Sequence, residues 1–229
     1  VIPSIPGYIY AVEDNSVFVN LYMSNEADQK LGEENIKLRK ETDYPWNGNV
    51  KITFESDIPA ETKILLRIPG WLRNEVLPGD LYSYIDQESP SFTVSINGEE
   101  LKPSVENGYL MINERSWNKG DQIELGFDME VRKIVSNEKV EANLNKMAFE
   151  RGPIVFCAEE VDNPYGVADL SLAQDGAFEF GYDSKLLGGM GIITGKSSAN
   201  NKVVSFKAIP YYAWAHRDMG EMAVWLSLD

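Results

Sequence analysis

Alternation of apolar and polar residues at period two runs through most of this chain, and it limits the fold more than any other feature. The clearest stretch is Ile123, Leu125, Phe127, Met129 and Val131, interleaved with Glu124, Gly126, Asp128 and Glu130. Successive side chains of an extended strand point to opposite faces, so this pattern gives one buried and one wet face. Residues 17–23, 50–54, 64–68 and 92–96 repeat it. Residues 154–157 and 203–209 read as more fully buried strands, and Met222, Val224, Leu226 and Leu228 form a last alternating run. No window of twelve or more residues carries a 3.6-residue stripe. The nearest, residues 26–39, is interrupted by Gly32 and lacks caps.

Turn chemistry agrees. Asn47-Gly48, Asn97-Gly98 and Asn107-Gly108 each fall between such runs. Asn-Gly suits a type I′ hairpin, which needs positive φ at both central residues. The fold class expected is therefore all-β, as antiparallel sandwich. A dense meander runs from about Tyr8 to Met129, and longer, loop-rich spacing follows Val131, so a domain boundary is expected near Glu130. Residues 74–90, with Pro78-Gly79-Asp80, read as a surface insertion between strands.

Composition removes many functions. There are 21 Lys+Arg against 36 Asp+Glu, a formal charge of −15, which repels nucleic-acid backbones. No apolar run approaches the roughly 20 residues of a membrane span. One Cys and one His in 229 residues exclude an internal disulfide and an ordinary structural zinc site. No metal is expected to be held by this chain. The start at Val1-Ile2-Pro3-Ser4 has neither a basic nor an apolar signal region and reads as a cut inside a longer protein, so no compartment is assigned.

Few residues are left to carry chemistry. Cys157, in an apolar strand, reads as a small buried hydrophobe. Tyr211, Tyr212 and Trp214, followed by His216 and Arg217, read either as a sugar-facing cluster or as aromatics closing the edge of a core. Trp46 follows Tyr44-Pro45 at an expected hairpin tip, where an exposed indole points to ligand binding. Glu150-Arg151 precedes the Gly152-Pro153 turn, a place where a charged pair fixes a strand entry or an interface.

Six segments in order carry a family resemblance. They are residues 6–11 (PGYIYA), 19–22 (VNLY), 41–48 (ETDYPWNG), 66–71 (LRIPGW), 150–155 (ERGPIV) and 209–217 (IPYYAWAHR). Together they resemble the C-terminal part of glycoside hydrolase family 127, the β-L-arabinofuranosidase-like family. The resemblance implies an N-terminal (α/α)6 barrel that carries the active site, followed by two β-sandwiches. It implies a first sandwich at residues 1–129, completed by 217–229, with the second, residues 130–216, inserted before the last strand. It also implies a zinc-bound Cys nucleophile in the barrel, at a Cys-Cys-Pro motif before the Pro6-Gly7-Tyr8 segment. Cys157 matches no such position, and the family often has Asn at the place of His216, so no catalytic residue is carried over.

The expectation is a non-catalytic C-terminal region of a hydrolase acting on β-L-arabinofuranosides or related plant glycans. It needs no cofactor of its own, and the resemblance implies zinc for the parent. Its partners are the missing barrel and, as a second reading, carbohydrate. Tyr8, Tyr10, Glu150, Arg151, Tyr211, Tyr212, Trp214, His216 and Arg217 are the residues expected to face the barrel or a sugar. Trp46 is the candidate exposed aromatic. A stand-alone carbohydrate-binding module and an adhesion sandwich without sugar affinity are the alternatives.

Overall fold

The computed structural model describes residues 2–102 and 104–229, so Val1, on which the reading of a cut begins, lies outside the described residues. The chain divides into two compact units, residues 2–73 with Pro90–Asp128, and Asn74–Ser89 with Met129–Asp229.

The first unit opens with β1 (Tyr10–Glu13), β2 (Ser16–Val19), β3 (Asn25–Leu31), β4 (Glu34–Thr42), β5 (Asn49–Phe54) and β6 (Ile58–Arg67). The next strand, β7 (Tyr82–Tyr84), belongs to the other unit. The first unit resumes with β8 (Phe92–Ile96), β9 (Glu99–Glu100), β10 (Val105–Glu106), β11 (Tyr109–Trp117) and β12 (Gln122–Phe127). Two sheets result, in the orders β1-β2-β6-β11-β10 and β3-β4-β5-β12-β8-β9. The alternating residues deliver the expected core: Val17, Val50, Ile52, Phe54, Ile64, Leu66, Val94, Ile123 and Leu125 are all buried. Trp117 of one sheet stacks on Phe54 of the other, with ring centroids 4.3 Å apart. Such buried aromatic pairs supply both area and orientation.

The turns follow backbone sterics. Asn97 and Gly98 take φ of 51° and 82°, and Asn107 and Gly108 take 51° and 80°. Those are the positive values that a two-residue I′ hairpin requires. Gly32, at φ 61°, turns β3 into β4, so residues 26–39 form a hairpin. Asn47-Gly48 departs from expectation, since neither residue takes positive φ. Gly48 is needed for space instead: a Cβ there would lie 1.9 Å from the Phe127 carbonyl oxygen. The alternation over residues 17–23 also stops early. β2 ends at Val19, and Tyr22 rather than Leu21 turns inward, donating its hydroxyl to the Arg67 carbonyl at 2.6 Å.

The second unit adds β13 (Val131–Ser136), β14 (Lys146–Arg151), β15 (Ile154–Glu159), β16 (Ser171–Leu172) and β17 (Phe178–Asp183). β18 (Met190–Ala199), β19 (Lys202–Pro210), β20 (Met222–Ala223) and β21 (Leu226–Leu228) follow. Pairing runs β14–β15–β19–β18–β16–β21 and returns to β14, a closed six-stranded barrel rather than the open sandwich expected. Closure leaves few unpaired edges on the ring. Met147, Phe149, Phe156, Leu172, Ile193, Phe206 and Leu226 fill it.

Three expectations are corrected here. The last strand does not complete the first sandwich: β21 pairs antiparallel with β14 and parallel with β16. The insertion before the last strand therefore does not form, because period two identifies a strand but not its neighbour. Residues 74–90 are not a loose surface insertion either. They carry β7, which pairs with β13 and buries Tyr84. The stretch 203–209 is not fully buried but alternates: Val204, Phe206, Ala208 and Ile209 are buried, whereas Ser205 is exposed and Val203 is 76% exposed.

Leu226→Asp places a carboxylate in the barrel core and is expected to destabilise the second unit by about 3 kcal/mol or more. Hydrogen exchange should then show lost protection across residues 131–227, with β5 and β12 unchanged. Loss confined to β5 and β12 would return the last strand to the first unit.

Candidate functional site

Residues 211–217 form the best-defined candidate. β19 ends in the buried Ala208 and Ile209, and Pro210 leads into a single 3-10 turn at Tyr211–Ala213. Ala213 docks against Cys157, Met190 and Ile209. With that residue inside, its neighbours turn out. Tyr211, Tyr212 and Trp214 are 48%, 55% and 43% exposed. The rings of Tyr211 and Trp214 lie nearly parallel, at 9° with centroids 6.2 Å apart. The cluster thus faces solvent and does not close a core.

A largely buried ionic network, with Glu159 at its centre, fixes this loop. The Arg217 guanidinium donates to Glu159 Oε2, and to Asp162 Oδ2 at 2.5 Å. Glu159 Oε1 accepts the backbone N–H of Ala215 at 3.0 Å, which suits the left-handed φ of 64° at Ala215. Lys207 Nζ lies 3.0 Å from Asp162 Oδ1. Asn163 donates to the carbonyls of Glu159 and Lys207, both at 2.9 Å. Burial would push the Asp162 carboxyl up, but the hydrogen bonds and charges of Arg217 and Lys207 outweigh it and hold the group below its ordinary value. The same carboxylates raise the Arg217 guanidinium. Asp162 therefore stays ionised at neutral pH, and it and Glu159 are engaged by cations. His216 Nδ1 faces two carbonyl acceptors, Ala213 O at 3.2 Å and Trp214 O at 3.0 Å, so that nitrogen carries the proton and secures the turn.

The other candidates serve elsewhere. Glu150 is buried and accepts the Tyr84 hydroxyl at 2.6 Å. Arg132 lies 3.5 Å over the Tyr84 ring and donates to Asn74 Oδ1 at 2.7 Å and the Asp86 carbonyl at 2.8 Å. This set anchors β7. Arg151 stacks 3.7 Å over Phe180. In the first unit Tyr8 is exposed, whereas Tyr10 is buried and donates to Asn25 Oδ1 at 3.1 Å. Trp46 is half exposed. Cys157 is buried, and burial together with Glu159, opposed by Arg217, pushes its thiol up to about 12. A thiol so raised is a poor nucleophile.

Sequence reasoning missed Glu159, Asp162, Asn163 and Lys207, whose signal was an acidic run abutting an apolar strand. It also missed Lys40, which shares the inward face of β4 with Ile36 and Leu38. Lys40 Nζ donates to the Leu21 carbonyl at 2.6 Å and sits 4.5 Å over the Tyr10 ring. Among the described residues, no group of three or more His, Cys, Asp or Glu is placed to hold a metal ion.

Comparison with known proteins places these two bodies. Residues 16–129 match the family described as "Beta-L-arabinofuranosidase, GH127 middle domain", and residues 131–227 match "Glycoside hydrolase family 127 C-terminal domain". The chain belongs to glycoside hydrolase family 127. A non-reducing end beta-L-arabinofuranosidase of Bifidobacterium longum subsp. longum is 29% identical, over 97% of this chain and 35% of that protein. The solved structure of a GH127 beta-arabinofuranosidase superposes with a TM-score of 0.92 at 45% identity, covering 100% of this chain and 37% of that one. A GH127 beta-L-arabinofuranosidase from Geobacillus stearothermophilus T6 gives a TM-score of 0.85 at 35% identity, covering 100% and 36%. The chain spans little more than a third of the length of these relatives.

Arg217→Met leaves Glu159 and Asp162 without their guanidinium and is expected to destabilise the second unit by about 3–5 kcal/mol in urea unfolding. A loss under about 1 kcal/mol would show that the network is not what fixes the loop.

The two buried groups give opposite pH dependences. Burial pushes Glu150 from 4.5 up to about 7, against the Tyr84 hydrogen bond and the Arg132 charge. Its contribution to the second unit is full below pH 4.5 and is lost as pH rises through 7. Burial pushes Lys40 from 10.5 down to about 7. Between those values the unfolded chain holds the proton, so the first unit gains stability as pH rises. Urea titrations should lose the acid-side slope in Glu150→Gln and the alkaline-side slope in Lys40→Met. Unchanged slopes would refute both assignments.

Proposed function

We propose that this chain is the non-catalytic β region of a longer hydrolase that acts on β-L-arabinofuranosides. In this reading it supports and shapes a cleft whose reacting groups lie elsewhere in the polypeptide. The observation that carries the reading is the paired match to the family's middle and C-terminal domains, over little more than a third of the relatives' length. The chemistry of this chain is consistent with it. Glu159 and Asp162 are tied to Arg217, Glu150 to Tyr84, and the Cys157 thiol is buried and raised. A glycosidase of the common two-carboxylate kind needs one carboxyl free to protonate and a second free to attack or activate water, and the Cys nucleophile that the resemblance implies needs an accessible, readily ionised thiol, which Cys157 is not. The zinc that the family resemblance implies has no fitting donor set among the described residues. The reading therefore assigns zinc to the remainder of the parent and routes no step through this chain.

The loop at residues 211–217 is the surface proposed to face the barrel or its sugar. Its pinned backbone fits a fixed contact, since ordering costs are met before docking. The near-parallel Tyr211 and Trp214 rings also favour a second reading, in which this loop stacks directly on a sugar as a binding module.

An aryl β-L-arabinofuranoside offered to this chain alone and to the full-length parent tests the main reading. The chain is expected to show no turnover above buffer, and the parent to hydrolyse. Turnover by the chain at a rate near the parent's would overturn it. In the parent, Trp214→Ala is expected to lower Tm if the loop packs on the barrel, and to raise KM at unchanged Tm if it meets the sugar.

A further inference from the structure

The first unit carries a feature that neither the 211–217 loop nor the family assignment uses. A groove of about 850 Å³ lies on the outward face of the sheet ordered β3-β4-β5-β12-β8-β9. Its floor follows from the strand register. Glu41 lies beside Lys51, Lys51 beside Glu124, and Glu124 beside Ser95. One step along, the outward row is Asn49, Gly126 and Thr93. Glycine inside a strand weakens it and marks a close approach. Here a Cβ on Gly126 would lie 2.7 Å from Thr93 Oγ1. The missing side chain therefore opens a hollow in the middle of the sheet, bordered by hydroxyl, amide and charged groups.

One end of the groove is formed by the connection between β4 and β5, through Asp43 and Asn47. Trp46 lies between those two residues and is 50% exposed. This connection is held firmly. Thr42 Oγ1 donates to the Asn49 carbonyl at 2.6 Å and accepts the Tyr44 N–H at 2.9 Å. The backbone N–H of Trp46 donates to the Asp43 carbonyl at 2.8 Å, and the backbone N–H of Asn49 to Asn47 Oδ1 at 2.9 Å. Tyr44 packs edge-on against Tyr22 and Phe127 and accepts the Trp71 indole N–H at 3.2 Å. The core thus anchors Tyr44 while its second neighbour, Trp46, stays out.

Trp46 thus stands in the connection that ends the groove, its backbone fixed and its side chain half exposed. An indole at that end and a polar hollow next to it match the two faces of a sugar: C–H surface for the ring, hydroxyls for the polar groups. The charges narrow the class. Glu41, Asp43 and Glu124 face a single cation, Lys51, so the groove is net acidic and repels uronates and phosphates. We infer that this groove binds a neutral glycan chain, with Trp46 stacking at one end and the Asn49, Lys51, Thr93 and Glu124 side chains bonding its hydroxyls. None of the residues lining the groove belongs to the 211–217 loop, and the proposal does not depend on how that loop is used.

Affinity electrophoresis of the 229-residue chain through native gels containing branched arabinan, xylan or polygalacturonate tests this. Retardation is expected in at least one of the two neutral polymers and not in polygalacturonate. Trp46→Ala, at an exposed position, should weaken it about tenfold or more, the effect of one lost stacking face. Gly126→Gln, which fills the hollow, should do the same, with Tm showing that the unit is folded. The double variant Tyr211→Ala/Trp214→Ala should be retarded like the wild type, which separates this site from the loop. No retardation by either neutral polymer, undiminished retardation of Trp46→Ala, loss only in the loop variant, or preference for polygalacturonate would each overturn it.

Discussion

The return of the last strand into the second unit is the constraint on which most of that unit depends. β21 offers one edge to β14 and the other to β16, and with it the pairings close into a ring. Leu226 then enters a core with Met147, Phe149, Phe156 and Phe206. The chain between β19 and β21 must cross from one part of this ring to another, and residues 211–217 lie in that crossing. Arg217 holds the crossing down by pairing with carboxylates at the end of β15 and just beyond it. The exposed aromatics follow from this, because Ala213 is the residue small enough to dock inward.

In the first unit the corresponding constraint is the stack of Trp117 on Phe54, which ties one sheet to the other. With the core settled there, the outward face of the six-stranded sheet is free to carry charge. Its cross-strand row of Glu41, Lys51 and Glu124 places opposite charges beside each other, an arrangement that stabilises a sheet. The same row borders the hollow at Gly126. Lys40 shows the opposite use of charge. It stands at an inward position, supported by a carbonyl and the faces of Tyr10 and Tyr22. Burial therefore depresses its ammonium, where an ion pair would have raised it.

The buried ionic groups divide by role. Glu159, Asp162 and Arg217 close a loop onto the barrel, while Glu150, Tyr84 and Arg132 fasten β7 to it. Both sets leave their carboxylates committed. A charge removed from water is tolerated only with compensating partners: Arg217 and Lys207 keep Asp162 ionised, whereas burial outweighs the partners of Glu150 and raises its carboxyl.

The sequence by itself determined the strand content, the hairpins at Asn97-Gly98 and Asn107-Gly108, the core residues of the first unit and the family. All of these rest on local rules: period two writes a buried face, and Asn-Gly tolerates positive φ. The sequence also placed Tyr211, Tyr212 and Trp214 in one segment, but only the tertiary structure turned them outward, because docking Ala213 decides their direction. Asn47-Gly48 looked like the other two turns, yet the Phe127 carbonyl pressing on Gly48 gave that glycine a different purpose. The partners of β7 and β21, the closed barrel, and the clamp of Arg217 on Glu159 and Asp162 were likewise decided in three dimensions. They join residues roughly 50 to 80 positions apart, and alternation along a strand carries no information about which distant edge it will meet.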